Sequence, residues 1–286
     1  MAGAVSAAER RRPSWRRAAA PADARGVLLL CWLIGGLLGA FIVLPLLALA
    51  ITPSPASLAE AARAIDLWRA LGLSLEAALL SALIAGLGGV PLAYVLARAT
   101  FPGKGVVAAI VDLPLAVPHT VAGIALLLVL GRHGILGAPA AALFGLKFWG
   151  TLAGVVAAML FVSVPYTVNA ARIGFEAIDP RLEKIARTLG MGPWRSWLRV
   201  SLPLARRSIR TGLTLTYARS ISEFGAVIIL AYYPMTAPVQ IYTLFVRFGL
   251  DQAAAAAVLL LAVSLALFIL FRQFAYRGVP RAAHGR

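Results

Sequence analysis

Residues 179–203 read DPRLEKIARTLGMGPWRSWLRVSLP, and this stretch decides how the rest of the chain is read. It opens with helix grammar. Asp179 is a residue type that caps a helix N-terminus, and Pro180 suits the first helical position, where its missing N–H has no intrahelical partner anyway. Leu182, Ile185, Ala186 and Leu189 then recur at the i, i+3, i+4, i+7 spacing of one apolar face, while Arg181, Glu183, Lys184 and Arg187 fall elsewhere on the helix. Gly190 is a natural stop. A second start follows at Gly192-Pro193, with Trp194, Trp197 and Leu198 as another short apolar face, and Leu202-Pro203 ends the excursion. The spacing predicts two short helices joined through Gly190-Met191-Gly192, each too short to be stable alone. Each must rest its apolar face on something. The pattern alone admits two supports, a lipid surface or a protein partner.

The sequence on either side says where this elbow sits. The chain is 61% hydrophobic and only 13% charged, against about 25% charged in soluble domains. Such a composition points to the bilayer as solvent. A spanning helix needs about 20 mostly apolar residues, and six stretches qualify: 27–51, 71–96, 106–130, 148–170, 208–231 and 252–274. The net charge of +16 does not point to nucleic acid, because the basic residues lie between the apolar runs. Twenty-one Lys and Arg fall on the side that holds both termini and the elbow, and five on the other. By the positive-inside rule the termini and the elbow are cytoplasmic. The reading is thus an all-α, multi-pass cell-membrane protein with a basic N-terminal tail (1–26), a membrane domain (27–275, its loop at 171–206) and a C-terminal tail (276–286). The first apolar run exceeds the 7–15 residues of a signal-peptide core, so it is expected to stay as an anchor. Cys31 is the single cysteine, and one cysteine makes neither an internal disulfide nor a metal site.

The elbow also resembles a family. Binding-protein-dependent ABC importer permeases carry the loop E-A-A-x3-G-x9-I-x-L-P between two spans. Here Lys184-Ile185-Ala186 is followed after three residues by Gly190, and after nine more by Val200-Ser201-Leu202-Pro203. Ala186, Gly190, Leu202 and Pro203 match at the family offsets and Val200 replaces Ile. Lys184 and Ile185 depart from Glu and Ala, and Glu183 places an acid one position earlier. The resemblance covers about residues 71–274. It implies a six-helix type I importer permease, with the loop seated in a groove of a separate ABC ATPase. It also implies a second permease subunit, expected to be an identical copy, and an extracytoplasmic solute-binding protein. ATP and Mg would belong to the partner ATPase, with no cofactor, metal or catalytic residue on this chain. No G-x-x-x-x-G-K-[ST] phosphate loop occurs in the sequence, and Gly86-Leu87-Gly88-Gly89 lacks the Lys.

Four ionisable residues fall inside the spans: Glu76, Asp112, Arg219 and Glu223. Charges at bilayer depth usually face the bundle interior or a water-filled path. Arg219 and Glu223 are four apart and are expected to pair on one helix face. Residues 220–226, SISEFGA, and 231–238, AYYPMTAP, resemble the oxyanion branch of these permeases, most closely its molybdate/tungstate members. Sulfate or thiosulfate is the alternative substrate, and a secondary transporter without an ATPase is the alternative class. The resemblance places the fifth span, with Arg219, Ser222, Glu223, Phe224 and Gly225, along the pathway, and His119 and Thr120 of the third span are candidate donors to an anion. Thr167, Asn169, Thr214 and Thr216 are further candidate donors to an anion, and Pro114 and Pro118 are expected to kink the third span.

Overall fold

The computed structural model describes residues 22–276, and the arginines at positions 10–17 and 277–286 lie outside them. Every regular element among the described residues is helical. The first is α1 (Ala22–Ile51), apolar and exposed over Gly26–Ile51, as a lipid-facing helix must be. The chain divides after Ile51 into two compact units, and all that follows concerns the second.

In the second unit α2 (Pro55–Arg63), capped by the Ser54 side chain, precedes the long α3 (Ile65–Arg98). At about 1.5 Å per residue, α3 runs some 50 Å, longer than the ~30 Å hydrocarbon core. Next come α4 (Lys104–Ala116), α5 (His119–Leu130), the short α6 (Gly137–Phe144) and α7 (Leu152–Glu176). The elbow holds α8 (Pro180–Thr188), α9 (Pro193–Ser196) and a π turn (Trp197–Ser201). Finally come α10 (Leu202–Ile221), α11 (Gly225–Leu230), α12 (Ala237–Phe248) and α13 (Leu250–Tyr276).

Two expected spans prove broken. The third bends by 115° between α4 and α5. Pro118 has no N–H to donate and its ring disfavours a helical residue before it. Val117 is accordingly extended, at φ −81° and ψ 130°, whereas Pro114 stays inside α4. The fifth, expected as 208–231, is interrupted at Ser222–Phe224, between α10 and α11. Among the described residues four helices are long and apolar enough to cross a bilayer, and the bent pair makes a fifth. The expected six is therefore not reproduced as six straight spans. α10 carries Arg206, Arg207, Arg210 and Arg219, which lower its hydropathy.

α3, α7 and α10 form the centre of the unit. They approach closely because the residues between them are small: Ala77, Ala78, Ala158 and Ala171 are fully buried. At Gly212 a Cβ would meet the Thr167 Cα at 3.0 Å. Hydroxyls bind the same seam. Thr167 and Thr216 share a bond of 2.6 Å, Thr216 reaches the Ser163 carbonyl, and Ser220 donates to Ser163 Oγ at 2.9 Å. Small residues and interhelical hydroxyls are the usual means of packing helices in lipid, where no hydrophobic effect drives them together.

Candidate functional site

Two clusters gather most of the residues singled out in the sequence, and each is built around a buried glutamate. The first lies at the elbow. Asp179 Oδ1 accepts from the Arg181 N–H at 2.8 Å and starts α8, and Gly190 ends it in the left-handed region at φ 85°. α8 turns Glu183 inward, where it is 6% exposed. Its carboxylate accepts from Tyr94 Oη at 2.9 Å, Arg98 Nε at 2.9 Å and Ser201 Oγ at 2.8 Å. Arg98 also donates to the Ile178 carbonyl at 3.0 Å. The carboxylate thus joins α8 to the end of α3 and to the π turn. Burial pushes the Glu183 carboxyl up. The hydrogen bonds from Ser201, Tyr94 and Arg98, with the charge of Arg98, outweigh that and hold it below the usual carboxylate range. The Tyr94 ring meets Phe175 edge-on at 5.2 Å and lies 6.0 Å from Trp197, so aromatic packing fixes the phenol that reaches Glu183.

The opposite side of α8 is apolar and open. Ile185 is 55% exposed and Leu189 76%, with Leu182 beside them and Trp194 of α9 at 67%. The expected apolar face keeps three of its four members. Ala186 turns inward with Glu183, while Leu182, Ile185 and Leu189 turn out. Lys184 is exposed. Val200 sits half-buried in the π turn. Leu202 and Pro203 do not end the elbow but open α10, which continues directly from that turn. The turn closes with a bond from Leu202 N–H to the Trp197 carbonyl. Pro203 cannot donate to a carbonyl one turn back, and a widened turn accommodates it.

The second cluster lies where the two broken spans meet. From Arg210 to Glu223 the chain runs about 20 Å at ~1.5 Å per residue, which separates this cluster from the arginines at the start of α10. Arg219 Nη2 donates to Glu223 Oε2 at 2.9 Å, giving the expected i, i+4 pair. The same nitrogen lies 2.6 Å from His119 Nε2. It also lies 3.4 Å from His119 Nδ1, which is itself 3.7 Å from Glu223 Oε2. Arg219 Nη1 donates to Ser222 Oγ at 3.2 Å. The other carboxylate oxygen of Glu223 accepts from the Ala226 N–H at 2.9 Å and so caps the start of α11. That bond explains the interruption at Ser222–Phe224: the side chain replaces a helical carbonyl as acceptor. The Glu223 side chain is 1% exposed, Arg219 21% and His119 46%. Thr120 and Ser222 are also exposed. Gly225 allows the two half-helices to touch, since a Cβ there would meet the His119 Cβ at 2.7 Å. Phe224 packs on Tyr242 of α12 at 5.1 Å.

The remaining sequence candidates divide. Thr167 and Thr216 are fully buried and bonded to each other, so they hold helices together and are not open to an anion. Asn169 donates to Asp112 at 2.6 Å, joining α7 to α4. Glu76 is exposed on α3, and Thr214 is half-buried. Sequence reasoning missed Tyr94, Arg98 and Ser201. The first two lie four apart on α3, a visible face pair, but nothing local ties them to a residue 85 positions later.

Residues 89–282 match a family model described as "Binding-protein-dependent transport system inner membrane component". The chain is 49% identical over 199 residues to the molybdate/tungstate transport system permease protein WtpB of Thermococcus kodakarensis, covering 70% of this chain and 75% of the relative. It is 36% identical over 223 residues to the molybdenum transport system permease protein ModB of Escherichia coli, covering 77% and 97%. Among solved structures, a bacterial ABC transporter involved in import of the acidic polysaccharide alginate superposes with a TM-score of 0.72 at 18% identity, covering 90% of this chain and 98% of that one.

Proposed function

The chain belongs to the binding-protein-dependent transport system inner membrane components, the permease subunits of ABC importers, and from that premise we propose that it provides the path for molybdate or tungstate and is driven by a separate ATPase. The observation that carries the coupling half is the orientation of α8. A helix packed by its apolar face on its own chain would hide Leu182, Ile185 and Leu189 and expose its acid. This one buries Glu183 and presents the apolar side chains outward. An apolar ridge rimmed by Lys184, Arg187 and Arg195 suits a groove on a cytoplasmic ATPase. Because Glu183 bonds α8 to α3 and to the turn that feeds α10, a push on the ridge moves those helices with it. ATP-driven closure of two ATPases would then bias two permease subunits between inward- and outward-facing states. The second subunit is a further copy of this chain, a solute-binding protein delivers substrate from outside, and both termini are cytoplasmic.

The substrate half rests on the relatives' names and on the second cluster. Irregular backbone at bilayer depth is tolerated where it is buried in protein or lines a water-filled cavity. Here it exposes His119, Thr120, Ser222 and an edge of Arg219, donors suited to a tetrahedral dianion. The test is uptake of radiolabelled molybdate into liposomes holding this chain and its ATPase, with the cognate receptor and ATP supplied. Tungstate should compete more strongly than sulfate. Sulfate competing best would replace the substrate assignment. Failure of the ATPase to co-purify would remove the coupling assignment.

A further inference from the structure

A passage for an anion must not bind it tightly, yet this one holds an arginine and a histidine at bilayer depth. The donor set around Glu223 resolves the conflict. Its two oxygens take up Arg219 Nη2 and the Ala226 N–H, and His119 Nδ1 faces it at 3.7 Å. These are the donors that would hold an oxyanion, and a carboxylate of the chain occupies them from behind. The open side of the cluster shows His119 and an edge of Arg219, while the carboxylate is 1% exposed. A dianion approaching from that side meets a guanidinium whose charge is already matched.

We infer that Glu223 is an internal counter-anion that keeps the Arg219–His119 position a weak, transient site for tetrahedral oxyanions, so that release is fast and selection is left to the receptor. This rests on the reading of the chain as an oxyanion permease. Removing the carboxylate charge turns a neutral pair into a net cation in a poorly screened environment, and interactions of unit charges a few ångströms apart are large there. Glu223→Gln keeps the shape and an acceptor for the Ala226 N–H but drops the charge.

The test measures radiolabelled molybdate bound directly to the detergent-solubilised permease–ATPase complex, without receptor, beside receptor-dependent uptake in liposomes. Wild type should show no saturable binding at micromolar molybdate. Glu223→Gln should bind at least about tenfold more tightly and take up molybdate more slowly, with receptor docking unchanged. Arg219→Gln/Glu223→Gln, neutral again, should lose that binding. His119→Arg, which adds a charge and leaves Glu223 in place, should gain binding as well, and it carries the test if Glu223→Gln does not assemble. Unchanged binding in both charge-adding variants, or equal binding in the double variant, overturns the inference. Wild-type complex that takes up no molybdate or tungstate at all would instead overturn the reading on which it rests.

Discussion

Glu183 and Glu223 are both buried glutamates held by an arginine, and they do opposite kinds of work. Glu183 gathers Tyr94, Arg98 and Ser201 from distant parts of the chain. Glu223 takes its arginine from the last turn of α10, four residues back, and its N–H from three residues ahead. The first is a tertiary rivet, enclosed on all sides, with its arginine 16% exposed. The second is a local cap at the end of a broken helix, with a histidine beside it that is nearly half exposed. The difference teaches where rigidity is needed. Under the proposed roles, a surface that transmits force has to be fixed to what it moves, whereas a point on a permeation route has to stay accessible and bind loosely.

Removing each arginine is the strongest way to break the comparison. Arg98→Ala takes the counter-charge from Glu183, leaving it only the hydroxyls of Tyr94 and Ser201, and also removes the donor to the Ile178 carbonyl; it should cost about 3–5 kcal/mol, read as a lower unfolding temperature of the solubilised protein and protease cleavage at 178–203. Arg219→Ala breaks bonds to Ser222 and Glu223 of the same segment and to a half-exposed His119, with no second backbone carbonyl involved, and should cost less, about 1.5–3 kcal/mol. Equal losses would mean that the two clusters do not differ as described. Gly225→Val should cost about 1–3 kcal/mol through overpacking, because its Cβ has no room beside His119. The same change at Gly192, where nothing lies within 4 Å, should be nearly silent.

Gly190→Leu forces a bulky side chain into φ 85° and should cost about 1–2 kcal/mol. It should lower the substrate moved per ATP more than it lowers membrane yield. Acid should reach the elbow through Glu183. Its carboxyl lies below the ordinary value in the fold, so its contribution is complete above that value and is lost as pH falls through the lowered one. Loop protection against proteolysis should therefore hold at neutral pH and fail only under acid below about pH 4.3. Glu183→Gln should abolish that dependence. The smallest effect on stability, within about 0.5 kcal/mol, is expected for Leu189→Asp on the exposed ridge, which should still weaken co-purification of the ATPase.

Much of this was legible because it is local or periodic. The helix grammar of 179–190 needs only Asp179, Pro180 and Gly190, and each does what its backbone chemistry dictates. The Arg219–Glu223 pair follows from helical spacing. The break at Pro118 follows from a missing N–H, although the size of the bend does not. The apolar face of α8 loses one member, Ala186, for a definite reason. Periodicity groups Leu182, Ile185, Ala186 and Leu189 but does not say which side of the helix meets the protein. Hydrophobic burial normally settles that question. Here the three charge-assisted bonds to Glu183 settle it the other way.

Composition and order along the chain determined a membrane protein with a helical elbow between its spans and a charged pair four residues apart, because hydropathy, capping and i, i+4 spacing act within a few residues. Only the folded chain decided that α8 shows its leucines and hides its acid, that the fifth span stops at Glu223, and that His119 stands beside Arg219. Those outcomes depend on partners 85 and 100 positions apart. No local energy term selects such partners, since only the packing of α3, α7 and α10 brings them within hydrogen-bond reach.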